Sequence, residues 1–272
     1  MKKLILALAV LSSVSCSSQN GGNTDMKIVA HRGGALIGNE NTLSAFSKGL
    51  EAGADMIEMD VHLTSDGAVV VCHDDSIDRT TDGKGRIEDM TLDQFKSAKA
   101  LDRESGQPTE ESLPTLEEAL DLIHGKAGIL LEIKKFHKGQ YEGIEQKVLD
   151  LVNAKGMHDD VTLQSFDDSI LRKVHELDPG MRIEKLIICR PLPGLCIDNG
   201  LSTFSFRKYD FCASINSMRA LTSRHFVKKC HKAGKEIKIW TVNSPDKVIP
   251  GVDAVISNRP DLFNSKEPHV NF

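Results

Sequence analysis

Eight short apolar segments, each separated from the next by helix-forming or looping residues, set the first constraint on this chain. They are KIVAH, DMIEMDVHL, AGILLEIKK, DVTLQSF, MRIEKLIIC, DFCASIN, KEIKIWTV and DAVIS. Residues 42–52, 114–125, 141–155, 167–177 and 223–234 have apolar positions at helical spacing, with glycine or proline at several of their ends. A further apolar run, AVVVCHD, follows DMIEMDVHL across the turn residues DGA and reads as the second arm of a hairpin. TTDGKG then reads as a turn and MTLDQFKSA as a short helix, while residues 190–204 read as loop with one short helix. Alternating strands and helices imply an α/β fold with a parallel sheet. About eight strands favour a closed (β/α)8 TIM barrel over an open doubly wound sheet.

The segment before this pattern follows different rules. MKKLILALAVLSSVSC has two lysines, an apolar run too short to span a bilayer, small residues and then Cys16. Residues 1–15 are therefore expected to be a signal peptide. The small residues before Cys16 resemble a lipobox, although Ser13 stands where leucine or valine is usual. That resemblance implies a lipid anchor on Cys16. Polar residues 16–26 read as a flexible tether. The expected protein is exported, in the periplasm or at the cell surface, and held at a membrane.

Removing the leader takes Lys2 and Lys3 with it, so the formal charge moves from −5 to −7. A general affinity for nucleic acid is not expected from that balance. An anionic substrate would need positive charge built into its own site. No protein partner is readable. Cys72 and Cys212 sit in apolar segments and read as small buried residues. Whether Cys189 and Cys196 pair across their loop stays open.

In a parallel barrel the functional face lies at the C-terminal ends of the strands. Four stretches there carry unusual residues. KIVAH runs into His31 and Arg32, DMIEMDVHL holds Glu58 and Asp60, AVVVCHD holds His73, and AGILLEIKK holds Glu132 and Lys134. Residues i and i+2 of a strand share a face, so Glu58 and Asp60 point together, as do Glu132 and Lys134. Unpaired carboxylates among apolar neighbours are expensive. A hard divalent cation such as Ca²⁺ or Mg²⁺ relieves three converging acids and prefers oxygen ligands. His62 shares parity with Glu58 and Asp60 and is a candidate for the rim of the mouth.

These stretches together resemble the glycerophosphodiester phosphodiesterase family. The resemblance runs from Lys27 to Phe263 and rests on AHRGG, NENTLSAF, GADMIEMDVHLTSDGAVVVCHD, DRTTDGKG, PTLEEAL, LEIK, QSFD, WTVN and GVDAVISNRPDL in that order. It implies a barrel domain over residues 27–264, a small insertion at roughly residues 63–113, and a tail over 265–272. It implies metal ligands at Glu58, Asp60 and Glu132, acid/base histidines at His31 and His73, and phosphate contacts from Arg32 and Lys134. Asn39 and Asn258 depart from the family's usual Pro and Asp.

The implied reaction is metal-dependent hydrolysis of a glycerophosphodiester to sn-glycerol 3-phosphate and an alcohol. Glu40 is a candidate to orient Arg32. Trp240, the single tryptophan, ends a strand at the mouth and either packs on the glycerol or fills the top of the core. Competing readings are a lysophospholipase D-type phosphodiesterase and a non-catalytic surface lipoprotein that binds glycerol phosphates. A metal-dependent sugar or aldol enzyme has less support, because no Schiff-base lysine signal is present.

Overall fold

The structure, a computed structural model, describes residues 26–188 and 204–263. Residues 1–25, which hold the expected leader, Cys16 and most of the expected tether, lie outside the described residues, as do Cys189, Cys196 and residues 264–272. Nine strands form one sheet: β1 (Lys27–Ala30), β2 (Met56–Leu63), β3 (Val69–Val71), β4 (Gly128–Ile133), β5 (Val161–Ser165), β6 (Ile183–Ile187), β7 (Ser214–Met218), β8 (Glu236–Trp240) and β9 (Ala254–Ser257). All except β3 run parallel, and β1 pairs with both β2 and β9, so those eight close into a barrel. This is the (β/α)8 fold expected from the alternation.

β3 pairs antiparallel with β2, with Val61 opposite Val71. It is the second hairpin arm and belongs to no barrel wall. The chain then passes through a short helix, α2 (Leu92–Ser97), before returning at α3 (Leu116–Ile123). This excursion has its own small core around Ile77, Ile87, Phe95 and Leu113.

The remaining helices are α1 (Leu43–Glu51), α4 (Ile144–Ala154), α5 (Asp168–Leu177) and α6 (Arg224–Lys232). Their starts are chemically marked. Thr42, Thr115 and Ser223 each accept a backbone N–H of the first turn, and Thr115 forms a capping box with Glu118. α4 starts later than helical spacing alone suggests, because Gly143 before it is left-handed (φ 73°). β7 likewise begins at Ser214, after Tyr209 and Cys212 have closed a turn.

Every residue of β2 is buried, as a parallel strand covered on both faces requires. Ile57, Met59 and Val61 join the large core beneath the helices. Met56, on the opposite face, joins Val29, Leu130, Ala254 and Ile256 in a smaller apolar cluster. Glu58 and Asp60 stand above that cluster, toward the C-terminal mouth. Cys72 and Cys212 are free and buried, and burial pushes both thiols up to about 12. No helix among the described residues is long and apolar enough to cross a membrane.

Candidate active site

Register brings the acids together. Asp60 of β2 sits beside Glu132 of β4, and Glu132 beside Gln164 of β5. Glu58, Asp60 and Glu132 are nearly inaccessible, and each offers an oxygen within 4.8 Å of the others. Burying a charge costs several kcal/mol, whereas an ordinary hydrogen bond returns about 1 kcal/mol. Hydrogen bonds alone therefore do not stabilise this trio.

Two cations supply part of the compensation. Lys134 Nζ lies 3.0 Å from Asp60 Oδ1 and 2.8 Å from Glu132 Oε1. Arg32 Nε lies 3.6 Å from Asp60 Oδ2, and the backbone N–H of Arg32 donates to Glu58 Oε2 at 2.8 Å. Asn41 Nδ2 donates to Asp60 Oδ2 at 2.9 Å. Burial pulls Asp60 upward, but Lys134, His73 and Arg32 outweigh it and hold this carboxyl far below its usual range. Burial and the neighbouring Asp60 and Glu132 push Glu58 well up. Burial pushes Glu132 up to about 7, against the pull of Lys134. The site is thus short of positive charge.

Oxygen ligands about 2.3 Å from a common ion lie at most about 4.6 Å apart. The observed spread matches one ion after slight tightening. Asn41 Oδ1, beside Asp60, is buried and accepts no hydrogen bond. All-oxygen donors with an orphaned acceptor beside them fit a hard divalent cation. Glu58, Asp60 and Glu132 are the residues that would hold it.

The turn after β1 aims Arg32 at this centre. Arg32 is left-handed (φ 52°), which turns its N–H toward Glu58. A non-glycine residue there costs on the order of 1 kcal/mol of backbone strain. Gly33 follows at φ 81°, and a Cβ on it would stand 2.7 Å from the backbone of Ala45 and the ring of Phe46. Glycine is required because α1 packs against this turn. The side chain of Arg32 is then fixed by Glu40, which accepts from Nη1 at 2.8 Å.

Both histidines face one cavity of about 290 Å³ at the mouth, together with Arg32, Glu58, Glu132 and Lys134. The Nδ1–H of His31 donates to Asn258 Oδ1 at 2.6 Å, leaving Nε2 3.9 Å from Glu58 Oε2. Burial, then the charge of Arg32, pushes His31 down to about 4, so its ring is neutral near pH 7. His73 donates Nδ1–H to Asp74 Oδ1 at 2.6 Å and is also lowered, chiefly by burial. Trp240 lines the cavity, with its Nε1–H held by the Asn216 carbonyl at 3.1 Å. His62 does not reach the rim. Its Nε2–H donates to the His73 carbonyl at 3.3 Å and its Nδ1 accepts from Tyr141 at 2.8 Å, so it is a buried prop for the His73 backbone.

The profile of the glycerophosphoryl diester phosphodiesterase family matches residues 31–262. The chain belongs to this family. The Bacillus subtilis protein YhdW is 35% identical over 251 residues, covering 90% of this chain and 100% of that protein. A glycerophosphodiester phosphodiesterase of Caldanaerobacter subterraneus is 33% identical, covering 87% of this chain and 95% of that protein. Among solved structures, an Oleispira antarctica phosphodiesterase in complex with the product sn-glycerol-3-phosphate superposes with a TM-score of 0.74. It is 27% identical and covers 86% of this chain and 94% of that one. The chain is thus an enzyme of the phosphodiesterase class.

Against that family background, some site residues carry no obvious mark in the sequence. Asn41, which holds Asp60, follows Glu40 in a loop and resembles any turn asparagine. Gln164 donates to Glu58 Oε1 at 3.4 Å, and its own oxygen accepts from Asn216 at 2.8 Å. The strand register beside Glu132 was the available signal for Gln164. Phe166, Leu186, Ile188, Met218 and Ile256 form the cavity's apolar side and are indistinguishable from core residues until the barrel is closed.

Proposed function

We propose that this site hydrolyses glycerophosphodiesters to sn-glycerol 3-phosphate and an alcohol by two-histidine acid/base catalysis. The observation that carries the reading is one cavity lined at once by two imidazoles, two cations and the carboxyls of Glu58 and Glu132, with Asp60 clustered against both acids. The product named in the Oleispira antarctica complex supports the choice of substrate. A divalent ion on Glu58, Asp60 and Glu132, Ca²⁺ or Mg²⁺, would supply charge neutralisation beside the phosphate.

The side chains divide the remaining work. Arg32 presents a fork-shaped donor whose inner edge is anchored by Glu40, a geometry suited to phosphate oxygens. Lys134 adds a compact second charge. His31 is neutral, lies on the Glu58 side and faces a carboxamide; its Nε2 takes a proton from the attacking water, whose oxygen ends on phosphorus. His73 is backed by the Asp74 carboxylate, which stabilises an imidazolium; it gives its proton to the departing alkoxide oxygen. The bond from phosphorus to that oxygen breaks as the bond to the incoming oxygen forms.

A second reading has one observation in its favour. The apolar side of the cavity suits an acyl-bearing substrate, as in lysophospholipase D-type cleavage. Metal-loaded protein assayed on glycerophosphocholine, glycerophosphoethanolamine and a lysophospholipid separates the two. Release of sn-glycerol 3-phosphate from the headgroup diesters is expected; no turnover of any of them would remove the proposal. We propose further that the protein is exported, to the periplasm or cell surface, and anchored to a membrane through a lipid on Cys16. Support comes from the leader alone. Mass spectrometry of membrane-extracted protein should find lipidated Cys16 at the N-terminus, and an intact Met1 would contradict it.

A further inference from the structure

The excursion after β2 contributes a group whose contacts lead straight to the mouth. Arg79 lies in DRTTDGKG, a stretch that carries part of the family resemblance but to which the sequence assigns no site residue. Its guanidinium meets Glu40 twice, with Nη1 to Oε2 at 2.9 Å and Nη2 to Oε1 at 2.7 Å. Its Nε donates to Asp74 Oδ2 at 2.6 Å. Each carboxylate has its other obligation at the mouth: Glu40 Oε1 also accepts from Arg32, and Asp74 Oδ1 accepts from His73. One planar cation therefore joins the carboxylate behind the phosphate-side arginine to the carboxylate behind the second histidine.

We propose that Arg79 is a positioning residue. It touches no reacting atom; it fixes Arg32 and His73 relative to each other by holding Glu40 and Asp74 at a set separation. This inference rests on the reading of His73 and Arg32 proposed above. Three features support it over a plain surface ion pair. Exposed pairs with one contact contribute little, whereas this cation makes three hydrogen bonds to two acids in fork geometry. Asp74 fixes which nitrogen of His73 carries hydrogen, so a shift in Asp74 changes what Nε2 presents to the cavity. Lysine is a point charge and cannot span both acids in this way. The alternative is that Arg79 merely staples the excursion to the barrel.

Arg79 is about half exposed, with a side-chain exposure of 48%, and borders a cavity of about 250 Å³ shared with Glu40 and Arg103. A free guanidinium ion has room to enter when the side chain is removed. The test uses metal-loaded full-length protein, glycerophosphocholine as substrate, and the variants Arg79→Ala and Arg79→Lys. Arg79→Ala should lower kcat/KM by about 10- to 100-fold, the usual scale for misplacing a supporting group. Added guanidinium chloride at millimolar concentration should restore part of the loss, ammonium chloride should not, and Arg79→Lys should stay impaired. Nitrogen-15 NMR of the histidines should show His73 with hydrogen on Nδ1 in the parent and a mixture of tautomers in Arg79→Ala.

Unchanged kcat/KM in Arg79→Ala would overturn the proposal. So would a loss that guanidinium does not reverse while His73 keeps a single tautomer, the result expected of a staple. If the parent turns over no glycerophosphodiester, the functional reading fails separately, and the NMR comparison still decides the positioning role: an unchanged His73 tautomer in Arg79→Ala overturns it.

Discussion

On the side of the mouth formed by β1, β2 and β4, the cavity wall is His31, Arg32, Glu58, Glu132 and Lys134; on the side formed by β6 to β9 it is Leu186, Ile188, Met218, Trp240 and Ile256. The first side is over-determined. Arg32 is held by Glu40, Lys134 by Asp60 and Glu132, and the two histidines by Asn258 and Asp74. On the second side, apart from the indole N–H of Trp240 and the neighbouring Thr241, the wall is apolar and makes non-directional contacts. Directional groups specify one arrangement of charge, which suits the invariant phosphate. Apolar contact depends on area and tolerates differences in shape, which suits the part of a substrate that varies.

Substitutions on the two sides should therefore fail in different ways. The largest effect belongs to the histidines. His31→Ala and His73→Ala should each lower kcat by about 10²-fold or more on glycerophosphocholine. The pair separates on a glycerophosphodiester with a p-nitrophenyl leaving group, which needs little protonation. There, His73→Ala should recover most of its activity and His31→Ala should not. Equal losses on both substrates would undo the assignment of acid and base.

Trp240→Ala tests the apolar side. Removing most of a half-buried indole should raise KM roughly 10-fold, in keeping with a loss of about 1.5 kcal/mol of apolar contact, while kcat moves much less. A fall in kcat as large as that of the histidine variants would mean that the two sides do not divide the work in this way. Met218→Ala should be gentler. We expect a change of about threefold in the ratio of kcat/KM for a lysophospholipid over glycerophosphocholine, from the loss of a few buried carbons. A ratio that does not move would place the variable group elsewhere.

The same contrast explains what could be read before the fold was seen. Glu58, Asp60 and Glu132 stood out because carboxyls inside apolar strands oppose burial, a conflict that a bound cation would relieve. The barrel followed from the eight alternations of strand and helix. Leu186, Met218 and Phe166 could not be recognised, since a cavity wall and a core have the same composition. Asp74 and Arg79 were hidden for another reason. Their role depends on long-range proximity to Glu40, 39 residues before Arg79, which no local spacing encodes. His62 misled, because strand parity groups it with Glu58 and Asp60, yet its ring is buried against Tyr141 and the His73 carbonyl and does not line the cavity.

The whole account depends on three buried carboxylates sharing one cation. Isothermal titration of metal-free protein with Mg²⁺ and with Ca²⁺ measures this most directly, with Glu132→Gln as the partner variant. The account predicts one ion per chain for at least one of the two metals, and binding weakened about 10-fold or more by Glu132→Gln. No binding of either ion, or binding that Glu132→Gln leaves unchanged, would contradict it.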